Sequence, residues 1–298
     1  MAARHDGFRS IAGGIRWDLL PARLYERGKH LGAWNPRDID FSRDREDFRH
    51  LDPAAQESFL RLAAGFAAGE EAVTLDLLPL VWTVAREGRL EEEMYLTIFL
   101  FEEAKHTEFF RRLLDALDVH DDLSGFHSPA YRTIFYEELP RAMHRLLADP
   151  SPEAQAEAAV TYNMVVEGVL AETGYYAWRR LLEPTGAMPG TLRGIAHIAT
   201  DEARHIAYGV YLISRLVAED DRIFDVVERR LNALMGPALG TFAADPPRDP
   251  AVQADILDFA RRRFDARLNV IARARGRSVA DIEGWAGGVF AEALGDNG

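Results

Sequence analysis

The sequence predicts an all-α protein, a bundle of long helices, on three observations. Apolar residues recur at helical spacing over stretches of about thirty residues, well beyond the usual globular helix. Helix-opening pairs, Asp52-Pro53, Ser128-Pro129 and Ser151-Pro152, punctuate the chain, each an N-cap residue followed by proline at the first helical position. No strand-type alternation runs beyond about four residues.

The elements follow in order. Residues 1–51 are rich in Gly, Pro, Asp and Arg and read as an ordered arm or a few short turns. From Pro53 to about Arg86, Leu60, Ala64, Ala67, Val73 and Leu77 form one apolar stripe, and Pro79 should kink that helix by removing a backbone hydrogen bond. Gly88 punctuates, and a second helix runs from about Leu90 to Leu117. A third spans about 128–148 and a fourth about 151–182. Pro184 to Gly190 forms the next break, and a fifth helix reaches about Val217. Two or three further helices occupy about 221–243 and 249–274, with a capping box at Ser278 and Asp281. No interior linker marks a boundary, so 1–298 reads as one domain: arm 1–51, bundle 52–275, tail 276–298.

Composition narrows the function. The 298 residues hold 48 Asp and Glu against 35 Lys and Arg, a formal net charge of −13, which disfavours nucleic acid and anionic membrane as partners. There is no cysteine, so thiolate catalysis, zinc ribbons and iron–sulfur clusters are excluded, and any metal must be held by oxygen and imidazole. No signal-like or membrane-spanning apolar run is found, and the expectation is a cytoplasmic protein without stable membrane insertion.

The second and fifth helices share a word: Glu102-Glu103-Ala104-Lys105-His106 and Asp201-Glu202-Ala203-Arg204-His205. Each contains Glu-x-x-His, which sets a carboxylate and an imidazole on one helical face within reach of one metal ion. With 9 histidines one copy could be chance, and two solvated salt-bridged turns are the plain alternative. Two copies sharing the preceding acid, the alanine and the intervening base argue for a duplicated site.

A dimetal bundle needs one more carboxylate from each remaining helix. Glu70 lies 33 residues before Glu103, and Glu167 lies 35 before Glu202, a near-equal stagger. Phe66, Val73 and Leu77 surround Glu70 on its helix face, and Met164 and Leu170 flank Glu167; a lone carboxylate in such company is costly without a cation. Glu71 and Glu172 are the nearby rivals. Glu70, Glu103, Glu167 and Glu202 carry four negative charges, which two divalent ions would neutralise, leaving His106 and His205 neutral. This oxygen-rich set suits iron or manganese better than tetrahedral zinc.

The order Glu, Glu-x-x-His, Glu, Glu-x-x-His resembles the ferritin-like dimetal carboxylate proteins, in particular the small, radical-generating subunit of class I ribonucleotide reductase. Trp34-Asn35-Pro36-Arg37-Asp38-Ile39 is similar to that family's Trp-x-Pro-x-x-Ile segment. The resemblance implies an electron-transfer network through Trp34, Asp201 and His106, with Asp201 fixing the imidazole; packing of the arm is the simpler role for Trp34. It also implies a ferritin-like four-helix core with additional helices.

The departures point to a sister group. Phe110 stands where the reductase subunit carries its radical tyrosine, Gly284 to Gly298 contains no tyrosine, and Glu70 stands where many reductase subunits have Asp. The sequence looks like the ligand-binding oxidases similar to that subunit. These assemble a mixed manganese/iron site, bind a long-chain fatty acid there, and form an ether between a valine and a tyrosine. The corresponding residues are Val73 and Tyr162, which taken singly would be ordinary core residues. By this resemblance Glu70, Glu103 and His106 would hold manganese and Glu167, Glu202 and His205 iron, with Glu202 bridging, although a di-iron pair would fit the same donors. The implied protein is an O2-using oxidase and a homodimer. A reductase small subunit, a fatty-acyl monooxygenase or desaturase, and a ferritin-like storage protein are the competing readings.

Overall fold

Side-chain caps start several of the helices. Asp52 Oδ1 accepts from Ala55 N (2.9 Å), Ser128 Oγ from Tyr131 N (3.1 Å), Ser151 Oγ from Ala154 N (3.3 Å), and the Ser278–Asp281 capping box is closed from both sides. The computed structural model describes residues 7–243 and 249–285, and every regular element among them is helical.

The arm opens with α1 (Arg9–Ala12), α2 (Leu20–Leu31) and α3 (Ser42–His50). The bundle continues with α4 (Pro53–Asp76), α5 (Leu78–Arg86) and α6 (Leu90–Ala116). After α7 (Pro129–Arg132), a π-helical turn, Thr133–Glu138, leads into α8 (Leu139–Arg145). Next, α9 (Pro152–Ala159), a π-helical segment Val160–Ala171 and α10 (Glu172–Leu182) form one continuous rod. Then come α11 (Pro189–Glu219), α12 (Ile223–Phe242), α13 (Pro250–Ala272) and α14 (Val279–Glu283).

Three details differ from the expectation. The arm is largely helical, because Leu19, Leu20, Ala22 and Leu24 bury one face of α2 against the bundle; α2 packs on α6 and α11. At Pro79 the helix is interrupted rather than merely bent: α4 ends at Asp76 and α5 restarts at Leu78 across a single residue, Leu77, that keeps helical dihedrals, and Pro79 falls in the first turn of α5, where a missing N–H costs little. The fourth helix is widened over Val160–Ala171, which no periodicity argument anticipates. Of the tail expected at 276–298, residues 286–298 lie outside the described residues.

Four rods close the core: α4 lies against α6, α6 against α11, α11 against the 152–182 rod, and that rod's α10 against α4. The apolar interior falls into two clusters. One contains Val73, Tyr95, Phe99 and Ile206; the other contains Phe59, Phe109, Phe110 and Ile198. Along α6 the two clusters flank Glu103 and His106, and along α11 they flank Glu202 and His205, so a polar layer crosses the bundle between two apolar ones.

The register of α11 is fixed from outside it. Its own N-cap, Met188, offers no capping side chain and sits at φ 54°. Asp44 of α3, fully buried, takes that role: its carboxylate accepts from Gly190 N (2.9 Å), Thr191 N (2.6 Å) and Thr191 Oγ1 (2.7 Å). Gly190 is required there, since a Cβ would lie 2.5 Å from the Asp40 carbonyl oxygen. Replacing Asp44 by Ala leaves those donors buried and unpaired, and we expect a loss of about 2 kcal/mol in denaturant unfolding, with Asp44→Asn recovering part of it.

Candidate metal centre

The four rods each deliver carboxylates to the polar layer. Glu70 comes from α4, Glu103 and His106 from α6, Glu167 from the π segment, and Glu202 and His205 from α11; all six are buried. They fall into two overlapping groups that could each hold an ion: Glu70, Glu103, His106 and Glu202, and Glu103, Glu167, Glu202 and His205. His106 Nδ1 is 3.5 Å from Glu70 Oε2, 3.8 Å from Glu103 Oε2 and 3.5 Å from Glu202 Oε1. His205 Nδ1 is 3.2 Å from Glu103 Oε1, 3.5 Å from Glu167 Oε1 and 3.6 Å from Glu202 Oε2. Glu103 and Glu202 belong to both groups, so both are placed to bridge, where the sequence singled out Glu202. The rivals go elsewhere. Glu71 is exposed, and Glu172 forms ion pairs with Arg267 and Arg263.

The donors fit a pair of cations. Glu103 Oε1 and Oε2, His106 Nδ1, Glu167 Oε1, Glu202 Oε2 and His205 Nδ1 are all buried without a hydrogen-bond partner. His205 Nδ1 and Glu103 Oε1 are close, yet lack hydrogen-bonding geometry. Orphaned atoms of this kind are expensive singly, and six aimed at one small volume are explained by ions of opposite charge. All are oxygen or imidazole nitrogen, the hard-to-borderline set of iron and manganese.

Each imidazole is oriented from behind by a carboxylate on the opposite helix. His106 Nε2–H donates to Asp201 Oδ2 (3.2 Å), and His205 Nε2–H donates to Glu102 Oε2 (2.9 Å). The acid preceding each Glu-x-x-His therefore clamps the histidine of the other copy, which leaves Nδ1 of both rings facing inward. The base within each word balances those outer acids. Lys105 Nζ lies 3.1 Å from Asp201 and donates to the Gly32 carbonyl (2.7 Å), while Arg204 forms ion pairs with both Glu102 and Asp201. Asn163 Nδ2 donates to Glu167 Oε2 (2.8 Å) from one turn earlier on the rod. Glu102, Lys105, Arg204 and Asn163 were not singled out from sequence. The shared five-residue word held the signal for the first three, whereas Asn163 had none.

Trp34 joins this outer layer. Its Nε1–H donates to Asp201 Oδ2 (2.8 Å), its ring stacks on His197 (5.1 Å between centroids), and Lys105 Nζ sits 4.4 Å above it. Phe110 is buried and stacks on Phe66 (5.1 Å), which stacks in turn on Tyr175 (5.0 Å). Tyr162 donates to the backbone carbonyl of Val73 (3.1 Å), both residues being buried beside the carboxylates. A cavity of about 1240 Å³ reaches Glu70, Glu103, Glu167 and Glu202, with Phe66, Gly69, Val73, Phe135, Leu170 and Gly174 in its walls.

A profile of the ribonucleotide reductase small chain matches residues 23–235. The chain belongs to that family. Among solved structures, this small-chain relative is similar to R2-like ligand-binding oxidases. One is a mutant with an aerobically reconstituted Mn/Fe cofactor, 42% identical over 92% of this chain and 100% of that one, with a TM-score of 0.82. Another, with an anaerobically reconstituted Mn/Fe cofactor, is 44% identical over 92% and 100% of the two chains, with a TM-score of 0.81. A third holds a non-activated Mn/Mn cofactor, is 42% identical over 93% and 100%, and has a TM-score of 0.82. Like these relatives, the small-chain protein is a metal-dependent oxidase with the ferritin-like helical fold.

Charge in the metal-free small chain is balanced by protons. Burial pushes the Glu103 carboxyl well above its ordinary value, reinforced by Glu202, and burial raises Glu167 to about 7. Burial opposes ionisation of His106, but its hydrogen bond to Asp201 and the nearby carboxylates of Glu202 and Glu70 raise it well above the usual imidazole range. Burial likewise opposes His205, and Tyr95, Glu202 and Glu102 raise it. Burial alone would also raise Glu202 and Asp201, yet the two imidazoles hold Glu202 down to about 2, and His106, Lys105 and Arg204 keep Asp201 far below the carboxylate range. Raised folded-state values add stability at low pH that is lost as pH climbs through them, so Glu103, Glu167, His106 and His205 act in the same direction above about pH 5. The metal-free protein should therefore show a melting temperature that falls from about pH 5 to about pH 8, with the stabilisation by added Mn(II) and Fe(II) growing over the same range. Differential scanning fluorimetry checks both trends; a flat metal-free profile contradicts them.

Proposed function

We propose that this chain is an O2-activating oxidase that holds one manganese and one iron, binds a long-chain fatty acid at them, and links Tyr162 to Val73 through an ether. The observation that carries this reading is the pair of overlapping ligand groups opening on a largely apolar cavity, with Val73 in its wall and the Tyr162 hydroxyl on the Val73 carbonyl. By kinship with the Mn/Fe oxidases, Glu70, Glu103 and His106 serve one ion and Glu167, Glu202 and His205 the other. When bound, the metal pair supplies the redox chemistry that activates O2 and removes hydrogen from a C–H bond.

The protein's own residues do the rest. Glu103 and Glu202 tie the two positions together, and Asp201 and Glu102 fix the imidazole faces. Burial, with the charges of Glu103, Glu167, Glu202 and Glu70, pushes the Tyr162 phenol well above 10, so it keeps its proton until the reaction takes it. Its hydrogen bond to the Val73 carbonyl holds the phenolic oxygen beside the residue it would join. Forming the ether removes one hydrogen from the Tyr162 hydroxyl and one from a Val73 side-chain carbon. Trp34 and His106 both donate to Asp201, and along this line Trp34 would deliver electrons from the arm side. A fatty acid carboxylate would meet the metals at the inner end of the cavity, and its chain would lie along Phe66, Leu170 and Val73. Phe110 has no hydroxyl to hold a radical, which favours this reading over a reductase subunit.

Two predictions follow from this reading. Reconstitution of metal-free protein with Mn(II), Fe(II) and O2 should give an intact mass lower by two hydrogens, mapped to the peptides holding Val73 and Tyr162. Tyr162→Phe should bind both metals and show no such loss, whereas an unmodified wild-type mass with both metals bound would sink the cross-link. The homodimer has its own support. Leu75, Leu78, Trp82 and Phe101 are large, apolar and 47–61% exposed on α4, α5 and α6, helices that pack against one another. Burying that face should make the protein sediment as a dimer, and Trp82→Glu should shift it toward monomer.

A further inference from the structure

A row of aromatic rings leads from the metal centre to a separate surface pocket. Phe99 stacks on His205 with centroids 3.6 Å apart, and Tyr95, one turn earlier on α6, lies 6.0 Å from Phe99. Tyr208 on α11 is 5.3 Å from Tyr95, and Tyr211 is 6.4 Å from Tyr208. Tyr211 lines a pocket of about 230 Å³ together with Arg9, Arg16, Glu91, Glu92 and Glu283. This row starts at His205, whereas Trp34 and Asp201 serve His106.

Packing alone does not call for tyrosines here. Phenylalanine would fill the same space without a buried hydroxyl, yet Tyr95 buries an oxygen that has no partner, at a typical cost of about 1–3 kcal/mol. Tyr208 is fully buried, and its hydroxyl donates to Glu92 Oε2 (3.0 Å). Glu92 is only 3% exposed, stands between Arg215 (3.5 Å) and Arg89 (3.7 Å), and borders the same pocket as Tyr211. A phenol that gives up an electron becomes a strong acid, and a carboxylate already accepting its hydrogen bond is the group that takes the proton.

We propose that Tyr208, with Glu92 as its proton acceptor, is a redox relay station between the metal centre and the pocket at Tyr211. Tyr208 gives one electron through Tyr95 and Phe99 to the oxidised centre, and its phenolic proton passes to Glu92, leaving a neutral phenoxyl radical. A small one-electron donor at the pocket returns one electron by way of Tyr211, and the proton moves back from Glu92. The net change is one electron from the donor to the centre, with Tyr208 and Glu92 restored. The electron sink rests on the oxidase reading, while the redox character of Tyr208 does not.

The test therefore has two arms. In the first, metal-free protein with ring-deuterated tyrosine is photo-oxidised by a ruthenium tris-bipyridine complex with persulfate, and the radical is read by electron paramagnetic resonance. The Tyr208 signal should be lost in Tyr208→Phe and weakened in Glu92→Gln, but kept in a control at exposed-side Tyr176, Tyr176→Phe. An unchanged signal in Tyr208→Phe overturns the proposal, whatever the metals do. In the second, protein loaded with Mn(II), Fe(II) and O2 is reduced with ascorbate and followed optically. Reduction should slow in Tyr208→Phe and in Tyr211→Phe, with melting temperatures confirming that both variants are folded. Equal rates overturn the link to the centre, and failure to bind metal or consume O2 indicts the oxidase reading instead.

Discussion

Four carboxylates buried within a few ångströms of one another repel strongly in a medium that solvates them poorly, and much of this structure follows from that constraint. Two divalent ions answer it when bound, and raised carboxyl and imidazole pKa values answer it otherwise. The helices must then be long enough to cross the polar layer and still bury apolar residues on both sides. That is why α6 and α11 run for 27 and 31 residues and why an aromatic cluster stands at each flank.

Positions outside the ligand set are governed by the same need for rigidity. Asp201 and Glu102 hold the rings, Lys105 and Arg204 neutralise those acids, and Gly32 leaves room for Glu102, whose Oε1 would be 2.3 Å from a Cβ there. Asp44 sets the start of α11, three turns before Glu202, so even the arm contributes to where the ligands stand. The arm is less an appendage than a brace.

Much of this was legible in sequence for identifiable reasons. The repeated Glu-x-x-His word and the 33- and 35-residue staggers put the six donors together from sequence alone, because a helix converts spacing into direction. The helix starts were legible because Ser or Asp before Pro is a local, chemical signal. The crossing of the clamps was not, since sequence says which residues share a helix and not which helix faces which. Neither was the π segment carrying Tyr162, Asn163 and Glu167, whose residues have no composition that separates π from α. The helices of the arm are not legible in sequence, because α2 is short and gains its stability from docking on α6 and α11, a tertiary effect.

The crossed clamps have a mechanical consequence. Because α6 carries the imidazole of one ion and the buttress of the other, and α11 does the reverse, the two helices cannot slide past one another without disturbing both positions at once. Geometry cannot be traded between the ions by moving a rod. Whatever makes the two positions unequal must come from parts of the duplicated frame that do not repeat: Trp34 and the ammonium of Lys105 on the His106 side, and Phe99 and Asn163 beside His205 and Glu167, while Arg204 pairs with the buttressing acids of both. If the two ions differ, as proposed, it is the broken symmetry of the scaffold that would tell them apart.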